Sequence, residues 1–157
     1  MTGVQTCALP ISVSSGDITL QASEDVTFSC RLDGASAQAC TGTYRYALLS
    51  DGQHSLVVRA TDRAGRESQP VTVGWTVDTK APGSSFTSRP STVSNNDRES
   101  IAFAADELAT LACKLDDGAW AACASPFTTP VLLDGDHTLA VRSTDRAGNL
   151  GPEALVS

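Results

Sequence analysis

The chain has 157 residues, only 5% aromatic content and a formal charge of −7. That charge opposes sequence-independent binding to nucleic acid or anionic lipid, which needs clustered Lys and Arg. No apolar run approaches the ~20 residues of a membrane-spanning helix, and the abundance of Ser, Thr, Ala, Val, Gly and Asp suits short strands better than long helices.

The opening residues MTGVQTCALPI (1–11) carry no basic segment followed by an apolar one, so no signal peptide is visible there. The string resembles a translated sequencing-adaptor read-through and is read as a non-native leader, 1–11, with Cys7 as its odd cysteine. Beyond it, VTFSCRL (Val26–Leu32) alternates, with Val26, Phe28, Cys30 and Leu32 on one face and Thr27, Ser29 and Arg31 on the other. A period of two with one apolar face predicts a half-buried strand. Asp33-Gly34 is a turn signal, and HSLVVRA (His54–Ala60) predicts another strand with Leu56 and Val58 inward. Trp75 and Val77 are the expected last inward positions of the first domain's final strand. Asp78–Ser85 is then a short connector, and Ser85–Arg89 begins the next domain's first strand.

From there the chain repeats itself. DGQHSLVVRATDRAG (Asp51–Gly65) returns as DGDHTLAVRSTDRAG (Asp134–Gly148), 83 residues later, with 11 of 15 positions identical. From Ile18 to Gly65, 21 of 48 positions match at that offset. A recurrence of this length marks tandem domains. Ala109–Leu115 repeats the first alternating strand, and His137–Ser143 the second, with Leu139 and Val141 inward. The boundary falls near Lys80–Pro82, giving domains at 12–80 and 81–157. Each reads as a sandwich of about seven short strands, and so short a linker predicts a beaded rod with limited bending. By the same ruler Ser157 corresponds to Gly74, so the second domain is expected to be truncated at its last strand, the WTVDTKAP segment, and the chain to be a fragment of a longer array.

Four cysteines follow the repeat: Cys30 and Cys40, then Cys113 and Cys123, each pair spanning a turn. Opposite strands of one hairpin suit a cross-hairpin disulfide, and closing a loop of about eleven residues adds about 2–3 kcal/mol in the chain-entropy model. The alternatives are reduced core cysteines and a metal site, although C-x-x-C spacing and accompanying His ligands are missing. Disulfides imply an exported protein.

His54 and His137 occupy one repeat position just after an Asp-Gly turn. With Asp51, Asp62 and nearby serines, His54 raises a Ser-His-Asp constellation. Neither copy carries a nucleophile elbow such as G-x-S-x-G, and a structural role at the strand start is the competing reading. No catalytic residue is assigned. Thr61–Gly65 and Thr144–Gly148 end a strand and enter a loop. Asp62, with Asp78 and Glu67, offers hard oxygen ligands for an interdomain calcium ion. The alternative is an Asx-type turn in which Asp62 accepts loop amides and Gly65 takes φ > 0. No D-x-D-x-D spacing supports the ion, so no cofactor is assigned. Arg59 and Arg142 are expected outward, paired with carboxylates. Asp116-Asp117-Gly118 matches the first hairpin turn. Trp120, standing where the first copy has Ala37, is either a sugar-stacking platform or a cover over the sheet beside the disulfide. Tyr44 and Phe127 align as core residues.

Taken in order, F-x-C-x-L-D-G, a second Cys, D-G-x-H-x-L-x-V-R-A-T-D-R-A-G and W-T-V-D-T-x-A-P resemble the tandem Ig-like repeats of bacterial cell-surface and secreted proteins. The resemblance covers Asp17–Pro82 and Ser84–Ser157 and implies an all-β fold of two Ig-like sandwiches. It also implies an extracellular, non-catalytic stalk, spacer or adhesion module. Its partners would be neighbouring repeats and an unidentified protein or glycan ligand, without nucleic acid or membrane insertion. The alternative is an accessory region, spacer or carbohydrate-binding, of a secreted hydrolase.

Intact-mass analysis after alkylation under denaturing, non-reducing conditions should find Cys30, Cys40, Cys113 and Cys123 blocked and Cys7 modified. Five alkylated cysteines would sink the disulfide reading.

Overall fold

The structure, a computed structural model, describes residues 11–157. Cys7 and the rest of the proposed leader apart from Ile11 lie outside the described residues. The chain divides into two compact units between Thr79 and Lys80, and every regular element among the described residues is a strand.

The first unit contains β1 (Gly16–Thr19), β2 (Val26–Leu32), β3 (Gln38–Cys40), β4 (Thr43–Tyr46), β5 (Gly52–Asp62) and β6 (Val71–Val77). One sheet runs β3-β2-β5-β6, and β1 pairs with β4 in the other layer. Alternation builds the core. Cys30, Leu56, Val58, Val73, Trp75 and Val77 from the larger sheet meet Tyr46 and the partly buried Ile18 and Tyr44 from the smaller one. Ile11, which the sequence places in the leader, forms a parallel bridge with Val77. Its amide donates to the Thr76 carbonyl at 3.0 Å, and the Asp78 amide donates to the Ile11 carbonyl at 3.0 Å.

The second unit contains β7 (Ser84–Ser88), β8 (Ser100–Ala105), β9 (Ala109–Leu115), β10 (Ala121–Ala122), β11 (Phe127–Thr128), β12 (Leu139–Asp145) and β13 (Ala154–Val156). Its sheets run β10-β9-β12-β13 and β11-β8-β7. Against about seven strands expected per domain, the described residues hold six in the first unit and seven in the second.

The two units share one register. Cys30 faces Val58 as Cys113 faces Val141, Val26 faces Asp62 as Ala109 faces Asp145, and Ile18 faces Tyr44 as Ile101 faces Phe127. Leu56 faces Val73 as Leu139 faces Val156, so β13 is the first three positions of the strand that β6 forms with seven. Leu56, Leu139 and Val141 are fully buried, and each such side chain contributes about 1.5–3 kcal/mol by leaving water.

One close packing point lies within the second unit. Pro82 is buried, and its carbonyl accepts the Ser143 hydroxyl at 3.2 Å, while the Ser84 hydroxyl donates to Ser143 Oγ at 2.9 Å. Gly151 lies directly on this carbonyl, and its amide donates to the Ser143 carbonyl at 2.8 Å. A Cβ on Gly151 would stand 1.9 Å from Pro82 O, whereas one on Gly42 would meet nothing nearer than 3.7 Å. Overpacking against backbone costs about 1–3 kcal/mol or more. Gly151→Ala should therefore lower the denaturant midpoint of the second unit, with Gly42→Ala nearly silent. Equal effects from the two substitutions would refute the packing argument.

Candidate functional site

The two histidines sit at the mouth of the central strand pair of each unit. β2 ends at Leu32, and the chain turns through Asp33 (φ 48°) and Gly34 (φ 75°), closed by the Ala35 amide donating to the Leu32 carbonyl at 2.8 Å. Two successive positive φ values are those of a type I′ turn, which Asp-Gly accommodates. Held there, Asp33 Oδ1 accepts the Ser55 amide at 2.7 Å, and Oδ2 lies 2.7 Å from Nδ1 of His54. The other ring nitrogen, Nε2, lies 2.7 Å from the Ser50 carbonyl. The second unit repeats each contact. Asp116 (φ 50°) accepts the Thr138 amide at 2.8 Å and faces His137 Nδ1 at 2.8 Å, with Nε2 at 2.9 Å from the Leu133 carbonyl.

Carboxylate and carbonyl oxygens only accept, so both ring nitrogens must donate to satisfy both contacts. That is the imidazolium form. The pKa of each histidine is accordingly raised above 6.5, first by the bond to Asp33 or Asp116 and then by the carbonyl of Ser50 or Leu133. Burial pushes the Asp33 carboxyl up, but the bonds from His54 and Ser55 outweigh it and its pKa falls below 3.8. Asp116 is lowered by His137 and Thr138, against a smaller opposing effect of burial.

This geometry differs from a Ser-His-Asp triad. Neither ring nitrogen is left to take a proton from a hydroxyl, and the aspartates proposed to assist His54 act elsewhere. Asp51 accepts the Thr79 amide at 3.0 Å and the Thr79 hydroxyl at 2.8 Å. Asp62 holds its own loop: Oδ1 accepts the amides of Ala64 (2.8 Å) and Arg66 (2.9 Å), and Oδ2 accepts Arg66 Nε at 2.7 Å. These bonds, led by the Arg66 amide, lower its pKa, and Gly65 supplies φ 81°. In the second copy, burial pushes Asp145 up, yet the Asn149 side chain and amide bring its pKa below 3.8. The loops close with bridges at Thr61–Glu67 and Thr144–Leu150. Both oxygens of Asp62 are thus engaged by its loop, and Glu67 pairs with Arg59 at 2.7 Å.

The histidines' true partners, Asp33 and Asp116, escaped the sequence reading as site residues. The signal was available: each precedes its histidine by 21 positions in both copies.

The outward face differs between copies through two linked substitutions. In the first, Arg59 faces Glu67. In the second, Leu150 stands at the position of Glu67 and Trp120 at that of Ala37, and Arg142 lies over the Trp120 ring, 4.1 Å from its centroid. The Lys114 ammonium is 5.3 Å from the same centroid. A guanidinium at that distance is a cation–π contact, so Trp120 lies over the outer face of β9 and β12 as a partner of this chain's own cations. Tyr44 and Phe127 pack against the two cores.

A scan against protein-family models finds no match, and no curated protein matches the chain by sequence. Among solved structures, the fibronectin(III)-like modules of Clostridium thermocellum CbhA are similar at TM-score 0.56 and 15% identity, over 96% of this chain and 88% of that one. The FN1–FN3 domains of chicken CNTN1 give TM-score 0.43 at 12% identity, over 95% of this chain and 64% of that one. The CbhA likeness, with the all-β layers described above, shows an Ig-like or fibronectin III-like β-sandwich fold.

The paired ionisations set a pH dependence. Raised histidine pKa values stabilise the fold fully below pH 6.5 and cease to do so as pH rises through the raised values. Lowered Asp33 and Asp116 values stabilise it above pH 3.8, an effect lost as pH falls through the lowered values. Urea midpoints should therefore decline on passing from about pH 6 to about pH 8, and His54→Gln with His137→Gln should flatten that decline. A wild-type midpoint that rises over this interval would contradict the imidazolium assignment.

Proposed function

We propose that this chain is a non-catalytic, extracellular pair of Ig-like repeats, serving as a stalk, spacer or adhesion module of a bacterial surface or secreted protein. The observation that carries the reading is the duplicate fate of its most chemically suggestive residues. In both copies His and Asp are spent on fastening a hairpin turn to the next strand, in the same register and with both ring nitrogens occupied. A reaction centre needs a group left free to exchange a proton with substrate, and these groups are not free.

Two further features support an exported module. Cys30–Cys40 and Cys113–Cys123 are joined as disulfides, which persist in oxidising compartments. Each crosses a hairpin of a unit so small that its apolar core alone supports modest stability. Trp120 carries an arginine on its ring and so offers a poor sugar platform, which favours a spacer or protein-contacting role over carbohydrate binding.

Single-molecule extension tests the mechanical reading. Pulling the oxidised chain from its ends should give two separate unfolding events, each with the residues between paired cysteines held back. Reduction should lengthen each increment by roughly 30 Å, from ten residue steps at about 3.3–3.6 Å less the span of the bond. Smooth extension without discrete events would contradict a stalk. Glycan retention abolished by Trp120→Ala would replace it with a carbohydrate-binding module.

A further inference from the structure

The outer face of the larger sheet in the second unit holds two cations that lack a carboxylate partner among the described residues. Lys114 and Arg142 both lie over the Trp120 ring, and neither forms an ion pair. Glu153, just before β13, pairs with neither. In the first unit the equivalent of Arg142, Arg59, is neutralised by Glu67 at 2.7 Å. Leu150 at the position of Glu67 removes that carboxylate and puts in its place a leucine that is 53% exposed. Such a patch stands apart from a chain whose net charge is −7.

The strand register orders the patch along β12. Leu139 and Val141 belong to the core, so Ala140, Arg142 and Thr144 face outward by alternation. Ala140 stands beside Lys114 on one side and Leu155 on the other, Arg142 beside Ala112, and Thr144 beside Leu150. Arg142 thus lies between the levels of two leucines, Leu155 being 58% exposed. The exposure of Leu155 follows from the face it occupies: its counterpart Thr72 is also exposed, with five strand residues after it. Held 4.1 Å from the indole centroid, the Arg142 guanidinium makes no hydrogen bond within the described residues. Its N–H groups are therefore free for a carboxylate, and its rotamer freedom is already reduced. Trp and Arg among apolar neighbours are the residues that carry most binding energy at protein interfaces. A sugar would have to displace the guanidinium from the ring, whereas a carboxylate adds to it.

We propose that this face docks an extended acidic segment of a partner protein, of pattern apolar-x-acidic-x-apolar. Its central carboxylate meets the Arg142 guanidinium, its two apolar side chains lie on Leu155 and Leu150, and a flanking carboxylate meets Lys114. The spacing agrees with the register. Ala140 and Thr144, which set the levels of the two leucines, are four residues apart on β12, as are the two apolar residues of the segment. The inference rests on the protein-contacting part of the reading above. Discrete unfolding under force requires no partner, so either test can fail alone.

The probe is the capped peptide acetyl-Glu-Leu-Thr-Glu-Thr-Leu-Glu-amide, added to the intact chain at low salt. Titration should shift the indole N–H of Trp120 and the Nε–H of Arg142 to saturation. The indole of Trp75, buried in the core of the first unit, should stay unmoved. Leu150→Glu, which restores the ion pair of the first copy at an exposed position, should weaken binding about tenfold or more, and Arg142→Gln should do the same. Replacing the peptide's Glu by Gln should abolish the shifts, and replacing its Leu by Ser should weaken binding severalfold. Unmoved resonances at about 5 mM peptide, or equal binding by the Ser peptide or by the Leu150→Glu protein, would overturn the proposal. So would stronger shifts from a galacturonate oligomer at equal carboxylate concentration, which would assign the face to an acidic glycan. Shifts that grow with protein concentration in the absence of peptide would assign it to a second copy of the chain, and overturn it as well.

Discussion

The antiparallel pairing of β2 with β5, repeated as β9 with β12, is the constraint on which each unit depends. Seven residue pairs run from Val26–Asp62 to Leu32–Leu56, and from Ala109–Asp145 to Leu115–Leu139. Because side chains alternate along a strand, a slip of one residue would carry Cys30, Leu56 and Val58 to the solvent face. The observed register keeps all three buried. It also places Cys30 opposite Gln38 and within bonding reach of Cys40 on the neighbouring strand, and it turns Arg59 outward to Glu67. With few aromatics to enlarge the core, the pairing is held by β-branched and aliphatic side chains, and one covalent crosslink fastens β3 to β2 beside it. In the chain-entropy model that crosslink adds about 2–3 kcal/mol.

An aspartate clasps each end of this pair. At one end Asp62, the last paired residue of β5, turns its carboxylate onto the amides of Ala64 and Arg66 and ends the strand in a tight loop. At the other, Asp33 leaves β2 in the left-handed region, accepts the Ser55 amide and engages His54, which in turn reaches the Ser50 carbonyl. The histidine therefore ties three segments: the hairpin turn, the loop before β5 and the start of β5. A protonated ring suits both acceptors, the Asp33 carboxylate and the Ser50 carbonyl, better than a neutral one, which makes this fastening charge-dependent. The exposed pairs, such as Arg45 with Asp17 and Arg63 with Asp25, are of a different kind. Solvent screening leaves surface ion pairs with little weight in stability.

Much of this was legible in the sequence because the chain states it twice. The 83-residue offset identified the strands, since only positions with a shared structural duty recur: Cys30, Leu32, Asp33, His54, Leu56 and Val58 all have matching partners. Alternation assigned their faces, and Gly65 with Asp62 marked an Asx turn. What the sequence could not supply was which acidic group meets which donor. Asp51 is three residues from His54 and looked like its partner, whereas the chain path brings Asp33 across from another strand and sends Asp51 to Thr79. Trp120 was likewise ambiguous until Arg142 was placed over its ring, a contact between residues 22 positions apart on the outer face of the sheet. Gly151 gave no sequence signal at all, because its role is fixed by the approach of the Pro82 carbonyl.

The central claim is that the His-Asp pairs are fastenings of the fold and not a reaction centre. Nitrogen-15 spectra of the two imidazole rings at neutral pH address it most directly. The account predicts that His54 and His137 both show two protonated ring nitrogens and titrate above 6.5. Rings that are neutral at pH 7, with one bare nitrogen and an unshifted titration, would contradict it.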